Sequence, residues 1–469
     1  MTGIAPHRRR FGPALVLPAV ILAAACGSDD IVDPDPGPAL LSFTVLENPH
    51  NAISARALVE ARGVDSAFVR FWRSGGPARV SPRYGFGGDS VAVVPVLGLD
   101  AEADYTIELN LVMGDSLAAG VDTAQFASGA IPAWVPLPGV AGTDTTPGLL
   151  ALSFPDGPVI VDNTGKVVWY RYLPNGRLNS FQAWPDGRYT LMGLDDPDGH
   201  FHVLDDLGEE VGSLGCVDRP TRFHDLRIER DGSVWFLCDE LRIMDLTAVG
   251  GEERASVLGT VVQRVGADGT LLREWNAFDF VEVTELPLEL RSGLSVNLTH
   301  GNGITRDHEG NLLLSLRSLH QILLIDTLLT EVLWRFGGVR NEFTLVNDPK
   351  GSFFGQHGIR FAAPGILQLL DNGSEAPSRL VRYLLDGPDR TAQLVSAFID
   401  APETFTNVGG ASDTYANGHG LVTFGVAGRV VEVDEAFNRA WELTGLDSLY
   451  IFRAVRIPSL YAPERAASH

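Results

Sequence analysis

Six stretches of this chain repeat one pattern: an apolar strand, a tight turn opened by aspartate, and a second strand that often closes on tryptophan. They are "VIVDNTGKVVWY", "FHVLDDLGEEVGSL", "VQRVGADGTLLREW", "ILLIDTLLTEVLWRF", "LVRYLLDGPDRTAQLVSAF" and "VVEVDEAFNRAWEL", anchored at Asp162, Asp205, Asp268, Asp326, Asp386 and Asp434. Recurrence of one hairpin at intervals of roughly 40–65 residues marks an array of equivalent units. A second set of hairpins lies between them: "FQAWPDGRYTLMG", "HDLRIERDGSVWFLC", "HGNGITRDHEGNLLLSL", "HGIRFAAPGILQLLD" and "GHGLVTFG", with "GLLALSFP" as an incomplete sixth. Two hairpins per unit make a four-stranded sheet, and such sheets bury their faces by packing radially. The reading is all-β, a six-bladed β-propeller over residues 130–469.

Residues 39–129 read as a separate β-unit. Alternating strands such as "ALLSFTVLE" and "SAFVRFWRS" precede Leu99, an acidic turn and Tyr105. That order resembles the tyrosine corner of a small immunoglobulin/fibronectin-III-like β-sandwich. The Pro-rich "GAIPAWVPLPGVAG" reads as the linker between the two parts.

The first 26 residues read as an export signal: Arg8, Arg9 and Arg10, then a short apolar run ending in "LAAAC". Small residues before Cys26 resemble a lipoprotein processing site, with Cys26 as the lipidated residue; the alternative is an ordinary secretory peptide cleaved nearby. The run is too short to span a bilayer comfortably, so membrane contact is expected only through that anchor. Residues 27–38, acidic and Pro-rich, read as a stalk. The protein is thus expected outside the cytoplasm, periplasmic or membrane-anchored. In an oxidising compartment Cys216 and Cys238 are candidates for a disulfide, although sequence leaves two free thiols equally open. A formal charge of −23 argues against nucleic acid as partner. It leaves room for a small anion held by a local cationic cluster. The oligomeric state is open.

The chain has 11 histidines, so their phase in the repeat matters more than their number. His224, His300 and His357 each open the inner hairpin of a different unit, and His419 is expected at the matching point of the last. Inner strands of a propeller line its axis, so these rings are expected to converge. Arg317 ends the strand that returns beside His300. Three readings compete for such a set: hydrogen-bonded structural histidines, a three-histidine zinc site, or a site for an oxygen-rich anion. The guanidinium favours the anion and opposes a metal. No G-x-S-x-G elbow, H-E-x-x-H helix or phosphate-binding loop is present.

The set His224, "LTHGNGI" with "LLLSLRSLHQILLID", "GQHGIRF…LLDNG" and "YIFRAVRIPSLY" resembles the bacterial arylsulfotransferases that work without a nucleotide sulfate donor. The resemblance implies an enzyme without cofactor or metal that moves a sulfuryl group from an aryl sulfate donor to a phenolic acceptor. It implies His357 as the nucleophile that becomes sulfated, and His300, His224 and Arg317 as the groups that hold sulfuryl oxygens and handle protons. The glycines around His357 read as room for the tetrahedral group, while glycines directly after His300 and His357 depart from the family's pattern. No aromatic pair stands out to clasp the phenol. A ligand-binding lipoprotein without catalysis and an extracytoplasmic sulfate-ester hydrolase are the competing functions.

Overall fold

The computed structural model describes residues 37–86, 90–173, 177–184, 187–194, 196 and 199–462, and the chain is all-β. The export segment with Cys26 lies outside the described residues. Among those described, no helix is long and apolar enough to cross a membrane.

Residues 39–127 form two antiparallel sheets. One pairs Ala39–Glu47, Ala55–Arg62 and Val91–Val96; the other is built on Ser66–Trp72, Asp104–Met113 and Ser116–Ala127. Their strands alternate with period two. Ala55, Ala57 and Val59 of one sheet, and Val69, Phe71, Tyr105 and Ile107 of the other, turn inward to one apolar cluster. The Tyr105 hydroxyl accepts the Asp100 N–H at 2.9 Å and donates to the Asp100 carboxylate at 3.1 Å, pinning the acidic turn as the sequence suggests.

Among the described residues six further sheets follow, each with a run of four antiparallel strands. Four of them begin with an inner strand and step outward in chain order: Leu178–Ala183, Thr221–Ile228, Gly301–Arg306 and His357–Ala363 are those inner strands. The remaining two share the closure. The C-terminal strand Ala454–Ile457 pairs with Leu149–Phe154 and so supplies the inner partner that "GLLALSFP" lacks. The final sheet, Ala411–Thr414 to Arg439–Thr444, takes Gly139–Gly142 from the N-terminal side as its outermost strand. The stretch read as a linker is thus partly strand, and sequence ends far apart are stitched into one ring. Successive inner strands pack against each other along the series.

The repeating aspartates have a local cause. Asp162, Asp268 and Asp326 each accept backbone N–H groups within their own hairpin turn, as at Thr164 (2.8 Å) and Thr270 (3.1 Å). Short side-chain acceptors of this kind fix such turns. The N-terminal unit is docked rather than tethered. Leu150, Phe154, Tyr170 and Trp441 join its apolar cluster, and the Tyr170 hydroxyl accepts the Ala52 N–H at 2.8 Å.

Candidate active site

The ends of the inner strands converge on a cavity of about 440 Å3 lined by His224, His300, Arg317 and His357. The four side chains expected from the sequence are therefore brought together. His419 is not among them. It precedes the second strand of the last sheet, Gly420–Phe424, and its Nδ1 meets the Glu432 carboxylate at 2.9 Å. Arg456 and Thr146 bond the same carboxylate, so His419 belongs to the closure of the ring. The true inner strand there, "ASDT", carries no histidine.

His357 opens its strand and is 3% exposed. Its Nδ1 lies 2.7 Å from Asn372 Oδ1 and 3.0 Å from the Gly355 carbonyl, and both are acceptors. The amide of Asn372 cannot be reversed, because its Nδ2 already donates to the carbonyls of Thr406 (2.7 Å) and Gly409 (3.0 Å). The proton of His357 is therefore on Nδ1, and Nε2 keeps its lone pair. Burial, with Arg317 adding to it, pulls the ring down to about 4, so it is neutral at ordinary pH. His320 holds the loop before it: its Nδ1 accepts the Gly355 N–H at 3.0 Å while its ring stacks on Phe354.

Arg317 follows Leu312–Leu316, and its backbone N–H donates to the His300 carbonyl at 3.1 Å, as the hairpin register requires. The guanidinium donates to the Asn407 carbonyl at 2.8 Å. No carboxylate pairs with it among the described residues. Arg177 also lines the cavity, and two further arginines nearby are neutralised: Arg222 by Asp239 (2.7 Å) and Arg453 by Asp225 (2.9 Å). A half-buried guanidinium without a counter-ion, beside a neutral imidazole, is a cationic pocket waiting for an anion.

His224 and His300 meet Nε2 to Nε2 at 3.2 Å. Burial dominates the lowering of both, with Arg222 next, and His300 falls to about 2. His300 also sits in the left-handed region at φ 48°, a conformation a non-glycine residue holds only under constraint. Beneath His224, Asp225 ties four sheets together. It accepts from Arg453 at 2.9 Å, Gln182 at 3.1 Å and the Ile304 N–H at 3.1 Å.

The glycines beside the histidines serve the fold rather than the ligand. A Cβ on Gly358 would sit 2.0 Å from the Ser412 nitrogen of the next inner strand, and one on Gly301 would sit 2.6 Å from Thr260. They let neighbouring sheets approach. At Gly355, φ 61°, a Cβ would clash with nothing and would make ordinary contact with Asn372 at 3.9 Å and with the Arg317 guanidinium at 4.0 Å.

Three groups of residues escaped the sequence reading. Phe223, Phe452 and Tyr450 line the cavity, with Phe223 stacked on His224 (centroids 4.1 Å) and Phe452 edge-on to both. The motifs "RFH" and "YIFR" held all three, but nothing in sequence brings Phe452 to His224. Asn372 lay within "LLDNG" without an assigned role. Asn297 escaped too. Cys216 and Cys238 form a disulfide, which links the loop before Thr221–Ile228 to the neighbouring strand.

Between residues 199 and 445 the sequence matches the family model described as Arylsulfotransferase (ASST). No curated protein matches the chain. Among solved structures, a protein of unknown function from Bacteroides caccae is 14% identical, covering 66% of this chain and 100% of its own, with a TM-score of 0.41. A catalytically inactive virginiamycin B lyase from Staphylococcus aureus with quinupristin is 13% identical, covering 64% of this chain and 86% of its own, with a TM-score of 0.36.

Proposed function

Because this chain belongs to the arylsulfotransferase family, we propose that it moves a sulfuryl group from an aryl sulfate to a phenol by a ping-pong route through sulfated His357, without a nucleotide donor. One observation carries this reading: a neutral histidine with a bare Nε2 shares its cavity with the unpaired guanidinium of Arg317.

In the first half-reaction Nε2 of His357 attacks sulfur, the N–S bond forms, and the S–O bond to the aryl oxygen breaks. Sulfuryl transfer resembles phosphoryl transfer in spreading charge over equatorial oxygens, so positioning and positive charge do most of the work. Arg317 neutralises that charge. The ring of His357 becomes cationic as it forms the N–S bond, and Asn372 Oδ1 and the Gly355 carbonyl hold its Nδ1–H throughout. The departing phenolate is met by the His224–His300 pair. The phenolate leaves and takes a proton from solvent. An incoming phenol then reverses each step, losing its proton to solvent as the N–S bond breaks and its oxygen takes the sulfuryl group, which returns His357 to the neutral ring. Phe223, Phe452 and Tyr450 give the aryl ring an apolar seat.

The architecture that supports this is a six-bladed propeller behind a fibronectin-III-like sandwich, and the six meanders closed by terminal strands favour it. Its setting is extracytoplasmic: the N-terminal pattern favours export, and the disulfide suits an oxidising compartment. Incubation with 4-nitrophenyl sulfate, with and without phenol, tests the function. Nitrophenol release that continues beyond one equivalent per chain only with phenol, and yields phenyl sulfate, supports transfer. Free sulfate released at the same rate without phenol makes the protein a hydrolase, and binding without turnover makes it a receptor.

A further inference from the structure

Two asparagines hold the two ends of the reaction in opposite protonation states, and only one of them belongs to the nucleophile. Asn297, at the end of strand Ser295–Asn297, sits three residues before His300. Its Oδ1 accepts the His300 backbone N–H at 3.0 Å, and its Nδ2 lies 3.1 Å from the Nδ1 of the same ring. The backbone N–H can only donate, so the oxygen of the amide must face it. The amide nitrogen must then face the ring, and an amide nitrogen can only donate. Nδ1 of His300 is therefore an acceptor and carries no proton.

In a neutral ring the proton is then on Nε2, which faces His224 Nε2 at 3.2 Å. His300 donates and His224 accepts, which puts the His224 proton on its Nδ1, an atom with no hydrogen-bond partner among the described residues. This assignment is the reverse of that at His357, where an amide oxygen at 2.7 Å keeps the proton on Nδ1. One asparagine bares a nitrogen and the other arms one.

Resting on the sulfotransferase reading above, we propose that Asn297 is a positioning residue that fixes His300 as a hydrogen-bond donor at Nε2, so that His300 stabilises the phenolate leaving from sulfur. The 3.2 Å bond to His224 is long for the donor, and a phenolate oxygen is a far better acceptor than imidazole, so the Nε2–H transfers its bond to the leaving group. The same clamp holds the backbone of His300 at φ 48°. The left-handed residue and the oriented ring thus share one cause.

The test combines a spectrum with a leaving-group series on the full chain. In 15N-histidine-labelled protein, His300 is expected to show a protonated Nε2 and a bare Nδ1, and His357 the opposite. This measurement needs no variant and no turnover, so it stands or falls separately from the sulfotransferase activity. Asn297→Asp keeps the acceptor for the backbone N–H but replaces the ring's donor with an acceptor, and the His300 proton is expected to move to Nδ1. For phenyl sulfate, whose leaving group needs help, kcat/KM then falls by about 10²-fold, the scale for losing one oriented donor. For 4-nitrophenyl sulfate, whose leaving group needs little, it falls by less than about tenfold. A wild-type His300 protonated at Nδ1 overturns the proposal. So does a variant that slows both donors equally, which is the behaviour of a merely structural residue.

Discussion

Asn372→Asp exchanges an amide for a carboxylate of the same shape at the atom that accepts from His357 Nδ1 at 2.7 Å. In the native protein burial and Arg317 hold His357 at about 4. A carboxylate roughly 4 Å from the ring charge, at an effective dielectric of about 20, stabilises the imidazolium by about 4 kcal/mol, or about 3 pKa units. The ring is then protonated up to about pH 7, and a protonated Nε2 cannot attack. The acid limb of kcat/KM for 4-nitrophenyl sulfate therefore moves from about 4 towards roughly 7. At about pH 5.5 the variant is roughly thirtyfold slower than wild type, and the gap from protonation closes by about pH 8.5.

Stability follows the same sign. A histidine held below its ordinary 6.5 stabilises the fold above that pH, and its contribution is lost as pH falls through 6.5 towards about 4. For His357 the loss is roughly 3 kcal/mol, and in Asn372→Asp that slope flattens. The variant also leaves the Thr406 and Gly409 carbonyls without their donor, at about 1–3 kcal/mol each, so rates are compared at low temperature on protein with native circular dichroism. An unchanged acid limb in folded variant would refute the claim that Asn372 sets the protonation of His357.

Arg317→Met removes the unpaired cation while keeping its bulk; kcat/KM for aryl sulfates is expected to drop about 10²–10³-fold, with thermal melting raised or unchanged because no ion pair is broken. Gly358→Ala drives a methyl against the Ser412 nitrogen, 2.0 Å away, at φ 58°. Soluble expression should fail or the melting temperature collapse, and a variant as stable as wild type contradicts the close approach of those two strands. Replacing both Cys216 and Cys238 by Ser opens a bridge between residues 22 apart. Chemical denaturation should read a loss of roughly 3 kcal/mol.

How far the sequence could be read depended on whether a feature was set locally. The hairpin turns announced themselves because Asp162, Asp268 and Asp326 fix their own turns, and a periodic turn implies periodic sheets. His224, His300 and His357 share a phase in that period, and Arg317 follows from the pairing of one hairpin, so the heart of the site was legible. His419 misled because the last inner strand is only four residues long, Ala411–Thr414, and a histidine stands directly before its neighbour, Gly420–Phe424. The glycines misled for a different reason. Space beside Gly358 is filled by the backbone of Ser412, which only the packing of two sheets brings there. Asn297 and Asn372 were invisible as functional groups, since their meaning lies in which end of an amide faces which ring nitrogen. Phe452 reaches His224 only because the C-terminal strand closes the ring beside Leu149–Phe154.

The most direct measurement is a rapid quench of the protein with 4-nitrophenyl sulfate in the absence of phenol, followed by peptide mass analysis under neutral to alkaline conditions. Our account predicts a burst of nitrophenol matched by one sulfuryl group per chain, carried on the peptide containing His357 and discharged when phenol is added. Steady turnover with His357 unmodified, or a sulfuryl group carried by any other side chain, would contradict it.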